Sequence, residues 1–193
     1  MLIIVRHGRT EANATGRLLG RLDLPLDRLG ERQAVALARA VGPVDRVVSS
    51  PLLRTRQTAE AFGLDIELDD RFVELDYGDY DGLPLVDVPG EIWRQWRLSP
   101  DFAPPGGESL SSLRQRVEAG LEDLADEART HNIVVATHVS PIKAAITWAL
   151  GVGDEVTWKM LVSPASIHRV AVVEHGTSLR TFNEIAHLDG LVD

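Results

Sequence analysis

The chain has 193 residues and no cysteine, so it can have neither a disulfide framework nor a thiolate nucleophile. Long apolar runs are also missing. Nothing approaches the roughly 18 residues a membrane span needs, and the apolar run at the N-terminus is far short of a secretory signal core. Positive charge is scarce: 20 Lys and Arg stand against 29 Asp and Glu, for a net charge of −9. That balance argues against nucleic acid as a partner, because duplex binding needs a broad basic face. Internal repeats, low-complexity tracts and long linkers are absent too. The expectation is a protein with no membrane association and a cytoplasmic location. With 44% apolar residues, the length suits a single domain over 1–193 with a substantial core.

What is present starts with Leu2, Ile3, Ile4 and Val5, a continuous apolar run that reads as a strand buried on both faces. It stops at Arg6-His7-Gly8. In an open α/β sheet, the carboxyl ends of such strands are where ligands bind. Further along, Asp27 reads as the cap of a helix with Ala34, Leu37, Ala38 and Val41 on one face, ended by Gly42-Pro43. Val47-Val48 marks a second strand. Ser50-Pro51 reads as the start of the next helix, a capping hydroxyl followed by proline. That helix carries Arg54, with Thr58 on the same face.

Ile66–Leu68 and Phe72–Leu75 give weaker extended signals. Residues 76–108 are rich in Gly and Pro and read as a lid, with a short helix over 90–98. Ser109 caps a long helix whose inner face is Leu110, Leu113, Val117, Leu121 and Leu124. Ile133 to Ala136 is another buried strand, ending at His138. Ser140-Pro141 repeats the capping signal ahead of Ile142, Ala145, Ile146 and Ala149. The runs 167–174 and 178–184, joined by His175-Gly176-Thr177, suggest a hairpin. Alternation of strand and helix predicts an α/β fold: a three-layer α/β/α sandwich on a mostly parallel sheet with one antiparallel edge strand. If the strands ending near His7, Arg54 and His138 are neighbours, those side chains converge.

These residue types suit phosphoryl transfer, which needs positioning and charge neutralisation above all. Arg6 and Arg54 can grip a phosphoryl group through their planar forks. His7 can attack phosphorus and carry it as a phosphohistidine. A carboxylic acid can protonate the leaving alkoxide and then activate water. Glu74 is the candidate acid, with Asp76, Asp79 and Asp81 as competitors. With His138 these residues make a site that needs no metal and no cofactor. Each residue alone has a plainer reading: Arg54 as a solvated helix arginine, Glu74 as a surface carboxylate, His138 as a core histidine. The other histidines, 131, 168, 175 and 187, share no metal-ligand spacing. Trp93 and Trp96 either pack together on the short helix or line a substrate entrance. Trp148 and Trp158 read as core or interface residues. Arg9 and Arg56 read as solvated cations.

Taken together, Arg6-His7-Gly8-Arg9-Thr10 resembles the signature of the histidine phosphatase superfamily, in its phosphoglycerate mutase-like branch. Asn13, Gly20, 26–30, 49–58, 74–82, 105–109 and 135–138 resemble its further blocks, in order over residues 1–150. The resemblance implies that His7 is the phosphorylated nucleophile and Glu74 the proton donor. It implies that Arg6, Arg54 and His138 hold phosphoryl oxygens, with Asn13 as a further donor and Thr10 as a pocket hydroxyl. Many relatives have glycine after the second histidine, with its backbone N–H on the phosphate. Here that donor is Val139, and valine resists positive φ. The run from His138 to Lys143 also resembles acid phosphatase modules of some actinobacterial proteins and of the cobalamin pathway.

Mutases of this branch carry a basic insertion after the acid loop that retains a bisphosphate. Residues 83–105 are short here, with Arg94 and Arg97 as the only cations. The expected activity is therefore hydrolysis of a small phosphorylated metabolite, with phosphoglycerate mutase dependent on a bisphosphoglycerate as the alternative. The acidic, aromatic lid favours a neutral or sugar-like organic group over a polyanion. Relatives of the family and the apolar C-terminal segment are compatible with a homodimer.

Overall fold

The computed structural model describes residues 1–191. Its frame is a six-stranded sheet: β1 (Leu2–Arg6), β2 (Arg46–Ser49), β3 (Ile66–Leu68), β4 (Ile133–Thr137), β5 (Ile167–Val173) and β6 (Gly176–Glu184), in the order β3-β2-β4-β1-β5-β6. The β1–β4, β2–β4 and β2–β3 pairs are parallel, while β5 is antiparallel to both β1 and β6. Only β5 runs against the rest. It lies one position in from the edge, and the hairpin makes β6 the edge strand.

Side chains alternate across a strand, so β1 serves two cores at once. Leu2 and Ile4 pack with Leu113, Val117 and Leu121 of α5 (Leu110–Ala128) and with Ile142 and Ile146 of α6 (Val139–Leu150). Ile3 and Val5 pack with Leu37 of α2 (Arg28–Val41) and Ala59 of α3 (Leu53–Glu60). Two helical layers thus enclose the sheet, which is the expected sandwich.

Three local expectations are corrected. Ser50 does not cap α3, whose first residue is Leu53 and whose N-cap, Leu52, makes no side-chain bond. Ser140 does not cap α6. That helix starts at Val139 from an extended His138, and Pro141 sits in the first turn, where a missing N–H is tolerated. Residues 73–75 belong to no strand: a 3-10 turn over Asp70–Phe72 precedes them. Carbonyl groups of this stretch go to a side chain instead of a ladder, with Arg116 donating to Arg71 O and Val73 O, both at 2.7 Å, and to Glu74 O at 3.2 Å.

The remaining segments frame one end of the sheet. Glu11–Ala14 forms the short α1, capped reciprocally by Thr10 and Asn13. Between residues 76 and 108 lie two 3-10 turns and α4 (Gly90–Leu98), the helix expected there.

Candidate active site

The order β2-β4-β1 puts three parallel strands side by side, so their carboxyl ends deliver neighbouring side chains. β1 ends in Arg6 and leads to His7. β4 leads to His138. β2 leads through Ser50 to Arg54 in the first turn of α3. The His7 and His138 rings stand 5.2 Å apart, edge to face. His7, Arg54, Glu74 and His138 are all buried.

The signature loop is held by close packing. A side chain at Gly8 would place its Cβ 2.4 Å from Gly30 O, so only glycine lets the loop lie on the start of α2. Gly8 N–H donates to Thr58 Oγ1 at 3.1 Å, and the Thr58 hydroxyl donates to Arg54 O at 2.8 Å. Thr58 therefore ties β1's end to the helix bearing Arg54. Arg9 is not merely solvated: its Nε donates to Asp27 Oδ2 at 2.7 Å, while Asp27 Oδ1 caps α2. Arg56 is exposed, as expected.

His7 has a fixed tautomer. Its Nδ1 lies 2.7 Å from Gly8 O, an acceptor only, so Nδ1 carries the proton and Nε2 presents a lone pair. Burial, then the charges of Arg54 and Arg6, hold its pKa well below the ordinary 6.5. The ring is therefore neutral at physiological pH, the form that can attack.

His138 is likewise shifted well down by burial and by Arg54, and its Nε2 is 2.8 Å from Ser50 Oγ. Arg54 donates to Leu22 O at 2.8 Å and Gly20 O at 2.7 Å. That loop is itself fixed by Asp81, whose carboxylate accepts from the N–H groups of Gly20, Arg21 and Leu22 at 2.7, 2.8 and 2.9 Å. Arg6 donates to Val162 O at 2.7 Å. Burial lowers its pKa to about 10, against an opposing contribution from Glu74, so it stays charged at neutral pH.

Glu74 lies across the start of α6. Oε2 accepts from Val139 N–H at 3.0 Å, and Oε1 accepts from Ser140 N–H at 3.1 Å and Leu75 N–H at 2.8 Å. The helix N-terminus, with its unpaired donors, holds this carboxyl group. Val139 is the first helical residue and has no positive φ, so valine is unstrained there. Its N–H, expected on a phosphoryl oxygen, is held by Glu74 in this structure. Among the competing acids, Asp81 is committed to the 20–22 loop and Asp76 Oδ1 accepts from Gly78 N–H in its own turn.

Thr10 and Asn13 sit beside the signature but bond to each other. Thr10 N–H and Oγ1 donate to Asn13 Oδ1, and Asn13 N–H donates to Thr10 Oγ1. Their first task is to cap α1. Ser50, Thr58 and Arg116 were not singled out as site residues from sequence. Ser50 had a signal, its hydroxyl beside proline, but the helical-cap reading took precedence. Arg116 is an unremarked arginine on the α5 surface until the unpaired carbonyls at 71, 73 and 74 are known.

Four buried side-chain nitrogens lack a partner among the described residues: Arg6 Nε, Arg54 Nε, His138 Nδ1 and Trp96 Nε1. Buried polar atoms are nearly always paired, so each orphan asks for an explanation. The first three belong to the residues gathered around His7, and a tetrahedral oxyanion presents the acceptors they need. No group of three or more His, Asp or Glu placed to hold a metal occurs among the described residues.

A mostly parallel α/β sheet with two arginines, two histidines and an acid gathered at its carboxyl edge defines the class: an α/β sandwich with a cationic, imidazole-bearing pocket. The chain belongs to the histidine phosphatase superfamily (branch 1), whose family description matches residues 2–185. It is 34% identical to phosphoserine phosphatase 1 of Hydrogenobacter thermophilus, over 97% of this chain and 93% of that protein. It is 33% identical to a bifunctional protein of Mycobacterium tuberculosis, over 97% of this chain but 54% of that protein. The chain thus spans about half the length of the mycobacterial relatives it matches. Its fold is similar to a crystal structure of the phosphoserine phosphatase of Entamoeba histolytica in complex with phosphoserine, with TM-score 0.88, 27% identity, and 97% and 98% of the two chains covered.

Proposed function

We propose that this chain hydrolyses small phosphomonoesters through a phosphohistidine on His7. The observation that carries the reading is the set of orphaned donors on Arg6, Arg54 and His138 around a histidine whose free nitrogen is Nε2. The relatives named as phosphoserine phosphatases support the reaction class.

In the first half, His7 Nε2 attacks phosphorus and the bond from phosphorus to the ester oxygen breaks. Arg6 and Arg54 neutralise the equatorial oxygens, and the neutral His138 ring offers them a hydrogen bond. Protonated Glu74 gives its proton to the leaving oxygen. For Val139 N–H to reach a phosphoryl oxygen, Glu74 gives up that bond as the substrate enters. In the second half, the Glu74 carboxylate takes a proton from water, the water oxygen bonds to phosphorus, and the bond from phosphorus to Nε2 breaks. Inorganic phosphate leaves and Glu74 is again protonated. Thr10 and Asn13 support the pocket from the capped α1, the Asn13 amide adding a donor.

The activity is of the acid type. The general-acid role asks for a protonated carboxyl group at the start of the cycle, and the lowered pKa of His7 keeps the nucleophile neutral. Hydrolysis is favoured over mutase transfer by the fate of the lid cations. Arg94 is paired to Glu91 at 2.7 Å on an exposed face, and Arg97 lies over the Trp158 ring at 5.6 Å. The lid thus offers only two cations, one of them already paired with a carboxylate, to retain a bisphosphate.

Phosphate release from a panel of metabolite esters by wild type and His7→Ala tests the proposal. Wild type releases phosphate, fastest at mildly acidic pH, and His7→Ala shows a loss of about a thousandfold or more with an unchanged circular dichroism spectrum. Comparable rates in the variant reject it.

A further inference from the structure

Beside Glu74 lies a cavity of about 150 Å³ whose walls include Leu75, Tyr77, Trp93, Trp96, Lys143 and Trp158. Val139 and Ser140, whose N–H groups hold Glu74, also line it. The cavity thus adjoins the group that would protonate a leaving oxygen. Its aromatic walls come from three segments, at Tyr77, at Trp93 and Trp96, and at Trp158: Trp93 meets Trp96 at 5.3 Å and Trp158 at 6.4 Å between ring centres.

The polar groups of this cavity are unusual in sign. No Asp or Glu lines it. Lys143 is half-buried and makes no hydrogen bond or ion pair among the described residues; its Nζ faces the Trp158 ring at 5.8 Å. Glu74 acts on it through space but has its own oxygens engaged by backbone N–H groups. Burial lowers the Lys143 pKa, as expected for a cation short of counter-charge. The acids of the lid, Asp76 and Asp81, are bonded to backbone N–H groups and do not line the cavity.

Resting on the phosphatase reading, we infer that this cavity receives the organic part of the substrate, and that Lys143 selects esters whose organic part carries one carboxylate on a flat, carbon-rich frame. One cation matches one negative charge, and the indole and phenol faces match a planar frame. A second phosphate would call for more cations than the cavity offers. Lys143 is a specificity residue here, with no part in the bond-breaking steps.

The test compares kcat/KM for meta-carboxyphenyl phosphate and phenyl phosphate, which differ only in the carboxylate. Wild type prefers the carboxylated ester by roughly tenfold or more, since a site built to pair a group discriminates against its absence. Lys143→Met removes the preference, Lys143→Arg keeps it, and Lys143→Glu reverses it. A wild-type ratio near one, or a preference that survives Lys143→Met, overturns the inference, and a better turnover of sugar phosphates by wild type does the same. If wild type hydrolyses neither these two esters nor any of the metabolite panel, the phosphatase reading fails separately. The cavity is then judged by calorimetric affinities for the two matching phosphonates, where the same Lys143-dependent preference must appear, and its absence overturns the inference.

Discussion

At the scale of single residues, the site is a set of histidines and arginines each fixed by one specific neighbour. Gly8 O sets the tautomer of His7, and Ser50 Oγ orients His138 from 2.8 Å. Ser50→Ala removes that contact and the long bond from Leu52 N–H to the same hydroxyl, at 3.4 Å. Steady-state kinetics on it should show kcat/KM lower by about tenfold, with a stability loss of about 1–3 kcal/mol because the buried His138 Nε2 is left without its partner. Ser50→Thr should recover most of the activity, and a Ser50→Ala enzyme as active as wild type would remove Ser50 from the account. Residues with chemistry of their own were legible from sequence: Arg6, His7, Arg54, Glu74 and His138 stand together in space. Their orienting partners were not. Ser50 beside Pro51 follows the same local rule as a helix cap, and only the neighbouring strand shows that its hydroxyl is taken by a histidine. Thr10 and Asn13 show the reverse, since residues marked for a ligand also cap a helix.

At the scale of elements, the acid loop depends on a helix it does not belong to. Arg116 of α5 binds three carbonyl groups over residues 71–74 and pairs with Glu108 at 2.7 Å. Arg116→Leu leaves those acceptors and one carboxylate without their donor. Urea unfolding should show a loss of about 2–4 kcal/mol. Activity should fall mainly in kcat, because Glu74 loses its position while the phosphoryl pocket stays intact. A variant of wild-type kcat would contradict that link. The regular elements were legible because their periodicity is strong: the inner face of α5 from Leu110 to Leu124 and the bounds of α4 at 90 and 98 match the pattern. Residues 72–75 misled because an apolar run says nothing of where its carbonyl groups bond. Trp158, expected in the core or at an interface, is not in the core. It is 37% exposed and lines the cavity next to Glu74.

At the scale of the whole molecule, burying titratable groups in one sheet makes stability depend on pH. His7, His138 and His168 all have lowered pKa values, and burial takes His168 to about 4 from 6.5. Above pH 6.5 neither folded nor unfolded chain protonates them. Below it the unfolded chain takes up protons that the fold refuses, so stability falls as pH falls toward 4. His168 alone should cost about 2 kcal/mol between about pH 7 and about pH 5. Urea midpoints for wild type and His168→Gln at those two pH values check this: the variant should lose less on acidification, and an equal loss in both would contradict it. The sandwich itself was legible from the alternation of strand and helix. The neighbourhood of β2, β4 and β1 was not, because strand order is a property of the closed sheet and not of spacing along the chain. That neighbourhood brings one imidazole between orphaned cationic donors, and the most direct test is to look for its adduct. Wild type mixed with a turned-over phosphomonoester, quenched in alkali and digested, should yield the N-terminal peptide bearing a phosphoryl group on His7, lost in His7→Asn. Phosphate release with His7 unmodified, or with the phosphoryl group on another residue, would contradict the account.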